Sequence, residues 1–214
     1  MTALVTCQNL ARVYGRGANA LVAVHEVTCE LRPGEQVAVT GPSGSGKTTL
    51  LHLLAGLDRP TAGRIGWPAF DDRPHGRIGV VFQGPSLLPP LNVAENVALP
   101  LLVAGLGDAE ARERALIALA AIGLAGLAGA LPEELSGGQA QRVAVARVLA
   151  AEPRLIIADE PTAQLDSDLA RRAVDLLTEV ASRLDAALVI TTHDPLVAAR
   201  LPQTWTMSDG VLAC

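Results

Sequence analysis

A glycine-rich loop constrains the fold of this chain more than any other feature of its sequence. The loop matches the pattern GxxxxGK[ST], with an apolar run before it at residues 35–40 and helical periodicity after it at residues 48–57. It consists of Gly41, Pro42, Ser43, Gly44, Ser45, Gly46, Lys47 and Thr48. Glycines let backbone N–H groups wrap a phosphate chain, and the helix that follows adds partial positive charge. The pattern therefore predicts a strand–loop–helix unit that binds nucleotide phosphates.

The only lysine of the chain, Lys47, lies in this loop. In such loops the lysine reaches the β- and γ-phosphates, and the hydroxyl of the next residue, here Thr48, can coordinate Mg²⁺. The guanine-specificity motif Asn-Lys-x-Asp would need a second lysine, so the GTPase class is excluded. The alternative is a glycine- and serine-rich turn that only caps a helix.

Two acidic residues follow a second apolar run. Residues 155–158 predict a buried strand that ends at Asp159 and Glu160. An aspartate at a strand end can hold Mg²⁺, and a carboxylate beside it can polarise an attacking water. The alternative is an acidic transition from strand to loop.

A second short motif begins a predicted helix. It consists of Leu135, Ser136, Gly137, Gly138 and Gln139. The unpaired N–H groups and the dipole of a helix N-terminus form an anion site. The alternative is an ordinary serine N-cap followed by glycines.

Apolar runs and helical patterns alternate along the chain. Runs at residues 35–40, 78–82, 155–158 and 187–191 predict strands, and patterns at residues 92–104, 109–122, 136–151 and 167–184 predict helices. This alternation indicates an α/β fold with a mainly parallel sheet. We expect one domain, residues 1–214, with a core at about residues 1–83 and 149–214 and a helical insertion at about residues 84–148.

Charge and composition exclude several function classes. The net charge is −5 and there is no basic run, which argues against nucleic-acid binding. The three cysteines, Cys7, Cys29 and Cys214, are far apart, so we expect reduced thiols and no metal site. Residues 115–131 carry no charge, but glycines interrupt them, so we expect a helix and a loop rather than a membrane span.

With these motifs in order, the chain resembles the nucleotide-binding subunit of an ABC ATPase over nearly its whole length. The resemblance implies a P-loop NTPase (RecA-like) core, a small antiparallel β subdomain and a helical subdomain inserted after the Q-loop. Within it, residues 41–48 correspond to the Walker A loop, residues 135–139 to the family signature, and Asp159 and Glu160 to the Walker B acid and the catalytic glutamate.

The same resemblance assigns further residues. It implies that Tyr14 stacks on adenine and that Thr49 joins the Walker A residues in binding ATP. Gln83 would be the Q-loop glutamine, which touches Mg²⁺ and the attacking water. Asp166 would belong to the D-loop, and His193 would be the switch histidine at the γ-phosphate. Catalysis would then rest on Glu160, His193 and Gln83, and the Mg²⁺ ligands would be Thr48, Gln83 and Asp159.

The resemblance also implies partners. Two copies would form a head-to-tail homodimer in which each ATP lies between the Walker A loop of one subunit and the signature of the other. The segments LLAGLDRPT (residues 53–61) and FQGPSLLPPLNVAENVALPL (residues 82–101) are similar to the macrolide-exporter, lipoprotein-release and cell-division ATPase subfamily. A separate membrane permease would dock on residues 87–97, which begin at Leu87 and end at Val97.

That reading places the protein in the cytoplasm, peripheral on the inner face of the cell membrane. The alternative function is a soluble ABC ATPase of the iron–sulfur cluster assembly type. Residues 62–77 are short for the subfamily, so we expect shortened accessory strands near the adenine.

Overall fold

The computed structural model describes residues 2–72, 74, 76–84, 86–163 and 165–214. The described strands are β1 (Val5–Tyr14), β2 (Leu21–Leu31), β3 (Gln36–Thr40), β4 (Ala62–Gly66), β5 (Ile78–Val81), β6 (Leu155–Asp159), β7 (Ala187–Thr192), β8 (Gln203–Ser208) and β9 (Val211–Ala213). The helices are α1 (Lys47–Leu54), α2 (Val93–Val103), α3 (Asp108–Ala121), α4 (Gly137–Ala151), α5 (Ser167–Arg183) and α6 (Pro195–Ala198).

A mostly parallel sheet of order β5-β6-β7-β3-β8-β9 forms the centre of the molecule. Only β9 runs antiparallel, against β8. The predicted α/β class and mainly parallel sheet are confirmed. The sequence predicts four of the six strands; β8 and β9 are additional, and they extend the sheet beyond β3.

The central strands are buried on both faces, and alternate residues serve different cores. In β3, Val37 and Val39 pack towards α1 and the second sheet, whereas Ala38 packs towards α2 to α5. The same alternation holds in β6, where Ile157 packs on the same side as Val37 and Ile156 on the same side as Ala38. This two-sided burial explains the continuous apolar runs of the sequence.

The second sheet is antiparallel, has the order β2-β1-β4, and covers α1 on one side. Pairing of β1 with β2 is irregular, and Asn9 sits at a register shift with a φ of 46°. β4 is five residues long and comes from the short segment at residues 62–77. Residues 73 and 75 of that segment lie outside the described residues.

The helices begin and end close to the predicted residues, with one difference in α1. The sequence predicts a helix over residues 48–57, but α1 ends at Leu54. Gly56 adopts a left-handed φ of 70°, and the Leu57 N–H donates to the His52 carbonyl oxygen. A left-handed glycine is a common helix stop, so the apolar residue Leu57 lies beyond the helix.

Helices α2 and α3 lie between β5 and α4 in sequence and pack against α4. Residue 148, the end of the expected helical insertion, falls inside α4. Among the described residues, no helix combines the length and apolar character needed to cross a bilayer.

Candidate nucleotide site

The glycine-rich loop connects β3 to α1, as the sequence predicts. Gly46 is the N-cap of α1, and no side chain caps the helix there. Because the first N–H groups of a helix have no intrahelical acceptor, those of α1 remain available to an anion. The site therefore presents uncapped donors and the positive end of a helix dipole.

Two glycines of the loop are required by close packing. A Cβ on Gly46 would lie 2.0 Å from the Ala23 carbonyl oxygen of β2, and one on Gly41 would lie 2.0 Å from the Met207 carbonyl oxygen of β8. Both positions also have φ values, 100° and 151°, that side chains rarely adopt. These contacts fix the loop against both sheets.

Lys47 folds back over the loop that carries it. Its Nζ donates to the carbonyl oxygens of Gly41, at 2.8 Å, and Pro42, at 3.0 Å, and lies 3.9 Å from Glu160 Oε1. The side chain is buried. The ammonium is thus held at the centre of the loop, where it can face a phosphate chain.

A cavity of about 590 Å³ opens over the loop. That volume lies in the usual range for a small-molecule site. Its predicted lining residues are Tyr14, Ser43, Gly44, Gly46, Lys47, Thr48, Thr49, Gln83, Glu160 and His193. Residues from five separate parts of the sequence therefore meet in one cavity.

Glu160 and His193 contact each other at the end of the central sheet. His193 Nδ1 lies 2.8 Å from Glu160 Oε2. A carboxylate can only accept, so Nδ1 carries the hydrogen and donates it. Glu160 has a left-handed φ of 45°, which is unusual for a residue with a side chain and is typical of strained functional positions.

Thr191, at the end of β7, holds both acids of the site. Its hydroxyl donates to Asp159 Oδ1 at 2.6 Å and accepts from the Glu160 N–H at 2.9 Å. Asp159 is buried and does not line the cavity. Its carboxylate, the Thr48 hydroxyl and the Gln83 amide offer oxygen atoms, which is the donor type that Mg²⁺ prefers.

Tyr14 is fixed by two charged neighbours. Its hydroxyl donates to Asp58 Oδ2 at 2.8 Å, and the guanidinium carbon of Arg12 lies 4.5 Å from the ring centroid. Burial raises the pKa of the Asp58 carboxyl. The hydrogen bonds from Tyr14 and Arg59 and the charge of Arg12 lower this pKa by more, so it lies below its usual value. With Arg12 over one face, the ring has one face left for a base.

The signature residues lie outside this cavity. Ser136 is the N-cap of α4: its Oγ accepts from the Gln139 N–H, and Gln139 Oε1 accepts from the Ser136 N–H. This is a capping box, which leaves the N–H groups of Gly137 and Gly138 without an intrahelical acceptor. The chain thus carries two separate helix N-termini suited to an anion.

Four more predicted residues do not line the cavity: Gly41, Pro42, Ser45 and Asp166. Pro42 and Ser45 support the loop, and the buried Ser45 Oγ has no hydrogen-bond partner among the described residues. Asp166 is the N-cap of α5, and its Oδ1 accepts from the N–H groups of Asp168 and Leu169. Its neighbour Gln164 lies outside the described residues, whereas Ala163 reaches the cavity.

Sequence reasoning missed two sets of contacts. Leu21, Val22 and Ala23 at the start of β2 line the cavity, and Thr191 organises the two acids. The first set has no local signal, because it reaches the loop only through the β1–β2 hairpin. Thr191 lies at the end of the strand predicted over residues 187–191, and this position was the one indication in the sequence that it could reach the site.

Comparison with known proteins agrees with this geometry. Residues 24–163 match the family model described as ABC transporter. The chain is 38% identical to the lipoprotein-releasing system ATP-binding protein LolD of Legionella pneumophila (strain Paris), over 98% of this chain and 96% of that one. It is 40% identical to LolD of Chromohalobacter salexigens, over 98% and 93% of the two chains.

Solved structures agree as well. The dimeric post-hydrolysis state of the ATP-binding cassette MJ0796, bound to ADP and Pi, superposes with a TM-score of 0.87 at 35% identity, over 98% of this chain and 97% of that one. CbiO1 of Clostridium perfringens, part of the ABC transporter complex cbiONQ, gives a TM-score of 0.85 at 30% identity, over 100% and 88%. The chain therefore belongs to the ABC transporter family, as an ATP-binding and ATP-hydrolysing cassette.

Proposed function

We propose that this cassette powers a lipoprotein-release type transporter, as a homodimer bound to a separate membrane permease. One observation supports the dimer. Lys47, Glu160 and His193 line one cavity, whereas the unpaired N–H groups of the signature helix lie outside that cavity. A second copy would bring that helix to the phosphates. The dimeric MJ0796 cassette, to which the chain is similar over nearly its full length, supports this arrangement.

The roles of the site residues follow from their contacts. The uncapped N–H groups of α1 and the Lys47 ammonium bind the phosphate chain. Glu160 orients and deprotonates the attacking water, and His193 contacts Glu160 through Nδ1. As an imidazolium, His193 would also donate from Nε2 to a γ-phosphate oxygen. Thr191 holds the Asp159 carboxylate and the Glu160 backbone N–H.

Mg²⁺ fits the oxygen donors of Thr48, Gln83 and Asp159. When bound, it would neutralise charge on the phosphate oxygens. Tyr14 contributes its free ring face to the adenine, while Arg12 and Asp58 hold the ring in place.

The permease would contact the segment that follows Gln83. Leu88, Pro89 and Pro90 are exposed, whereas Val93 and Val97 are buried in the helical core. The docking surface is therefore the first part of residues 87–97, before α2. This position holds the cassette on the cytoplasmic face of the membrane, where ATP is available.

Glu160→Gln tests the catalytic part of the proposal. The amide keeps the size of the side chain but cannot take a proton from water, so we expect ATP turnover to fall by about 10²–10⁴-fold. ATP binding should persist, and size-exclusion chromatography should show an ATP-dependent dimer. Lys47→Ala is the contrasting variant, because it should weaken ATP binding itself. Turnover at the wild-type rate in Glu160→Gln would contradict the role of Glu160.

Capture of partners tests the transporter part. A tagged Glu160→Gln protein with ATP, recovered from detergent-solubilised native membranes, should retain a permease with few spans and a large external domain. A permease with many spans would reject the lipoprotein-release subfamily. Soluble assembly proteins alone would favour the alternative, an ATPase of iron–sulfur cluster assembly.

A further inference from the structure

A second cavity, distinct from the nucleotide cavity, lies between α4 and α5. Its volume is about 120 Å³. It is lined by Gly138, Gln141, Arg142, Val145, Leu165, Leu169, Arg172, Ala173 and Leu176. None of these residues lines the cavity over the glycine-rich loop. In the described part of the chain, the walls are mainly aliphatic side chains, and the polar side chains come from three residues.

The first polar group is an amide without a partner. Gln141 is only 4% exposed, and its Nε2 is buried with no hydrogen-bond partner among the described residues. A buried donor left without an acceptor costs about 1–3 kcal/mol, so such groups usually mark a missing ligand or water. Here the unpaired donor belongs to a residue in the cavity wall.

The other two polar groups are guanidiniums. Within the described part of the chain, neither Arg142 nor Arg172 forms an ion pair, although six other arginines do. Those pairs involve Arg12, Arg32, Arg114, Arg171, Arg183 and Arg200. Among the residues that the structure describes, no acidic side chain lines the cavity. The cavity thus offers hydrogen-bond donors and positive charge, with no negative group to neutralise them.

This combination points to an anion with an apolar tail. Planar guanidiniums match the two oxygens of a carboxylate, and the Gln141 amide adds a third donor. A cavity of about 150 Å³ in an apolar core accepts benzene, so a space of about 120 Å³ suits a tail no larger than one ring. A polypeptide C-terminus with flanking residues is too large for this volume.

We propose that the cavity between α4 and α5 is a binding site for a small monocarboxylate with a compact apolar tail. The tail packs between Val145, Leu169 and Ala173. The carboxylate meets Gln141 inside and the two arginines at the opening. The site is separate from the nucleotide cavity of the same chain and does not depend on the identity of the permease.

Isothermal titration of the full chain with benzoate tests this site, with benzyl alcohol as the neutral probe of the same size. For a ligand this small we expect a Kd of about 1 mM, and binding at least about 10-fold weaker for the alcohol. The titration is done without ATP, because Gly138 in the cavity wall belongs to the signature, which meets the partner's ATP in the proposed dimer.

Three variants locate the ligand. Arg172→Gln should weaken benzoate binding by about 10-fold or more, since a hydrogen bond to a charged group is lost. Gln141→Leu should weaken it by about 2- to 10-fold and raise the unfolding temperature, because it removes the unpaired donor. Arg171→Gln is the matched control: Arg171 neighbours Arg172 on α5 but does not line the cavity, so binding should not change.

Three results would overturn the proposal. They are no benzoate binding at 10 mM (about ten times the expected Kd), equal binding of benzyl alcohol, and equal loss of affinity in Arg171→Gln and Arg172→Gln. Gln141→Leu also controls for misfolding. If this variant unfolds at a higher temperature and still binds benzoate more weakly, the weaker binding comes from the lost amide contact and not from a loss of folding.

Discussion

At the scale of single residues, the nucleotide site depends on positions where the side chain is absent or tightly held. Gly46 has no room for a Cβ because the Ala23 carbonyl oxygen stands in its way. Tyr14 is fixed by Asp58 and Arg12. The sequence pattern predicts a glycine at position 46, but it does not indicate these contacts, because β2 reaches the loop and Asp58 reaches Tyr14 only in the folded chain.

Gly46→Ala should therefore be far more damaging than Gly44→Ala. Both glycines have a positive φ, so each substitution introduces backbone strain of about 1–3 kcal/mol. Only at position 46 does the new Cβ also overlap backbone, whereas nothing lies within 4 Å at position 44. Urea unfolding should show a larger loss of stability for Gly46→Ala. Equal losses would mean that the contact with β2 does not hold the loop.

Two variants of Tyr14 distinguish the contribution of ring stacking from that of the hydroxyl hydrogen bond. Tyr14→Ala removes the ring and should weaken ATP binding by about 1–3 kcal/mol, the usual contribution of stacking between a base and an aromatic side chain. Tyr14→Phe keeps the ring and loses only the bond to Asp58, so its ATP affinity should stay near that of the wild type. Fluorescent nucleotide titration measures both. An unchanged affinity in Tyr14→Ala would place the adenine elsewhere.

At the scale of elements, the signature helix is tied to the segment that follows Gln83. Arg147 of α4 donates to the carbonyl oxygens of Asn96 and Ser86 and to Asn96 Oδ1. Burial lowers the pKa of this guanidinium. Asn96 in turn accepts from the Leu88 N–H and donates to the Leu88 and Leu91 carbonyl oxygens. The proposed docking surface is therefore connected to the signature helix by two side chains.

Asn96→Ala tests this connection. It removes the acceptor of the Leu88 N–H, the donor to the Leu91 carbonyl oxygen and one of the three acceptors of Arg147. Several polar groups are then left unpaired, so we expect a loss of stability of about 3 kcal/mol or more. Asn92→Ala is the matched control, because it deletes only the N-cap of α2 and should cost about 1 kcal/mol. Chemical denaturation measures both, and an equal loss in the two variants would contradict a special role of Asn96.

Elements with strong apolar patterns were predictable, and those without them were not. Strands β3, β5, β6 and β7 are buried on both faces and read as continuous apolar runs. In contrast, Gln203–Ser208 of β8 alternates exposed and buried residues, and β1 is interrupted by register shifts. Their pairing depends on β3 and β2, so no local window of the sequence contains it.

At the scale of the whole molecule, the two helix N-termini of the proposed site lie apart within one chain. Gly46 begins α1 inside the nucleotide cavity, and Ser136 begins α4 outside it. The motif predicted that a helix would begin at Ser136, and the structure confirms this. The arrangement of two copies was implied by the family resemblance alone, because nothing in one sequence fixes how a surface meets its own copy.

Gly137→Asp in the Glu160→Gln background tests that arrangement. Position 137 is exposed, and a Cβ there meets nothing within 4 Å. An acid in the first helical turn favours the dipole of α4, so folding should be unaffected. The ATP affinity of one chain should also stay the same, because the signature lies outside the cavity. In the dimer, however, the carboxylate would face the partner's ATP phosphates, and like charges in contact cost several kcal/mol.

We therefore expect ATP-dependent dimerisation to weaken by about 100-fold or more in Glu160→Gln/Gly137→Asp, measured by analytical ultracentrifugation. Gly137→Ala in the same background is the control, since it adds a methyl group without charge and should still dimerise. If the aspartate variant binds ATP and dimerises as well as the alanine variant, the signature helix does not meet the partner's nucleotide. If it loses ATP binding as a single chain, the signature contributes to the site within one subunit instead.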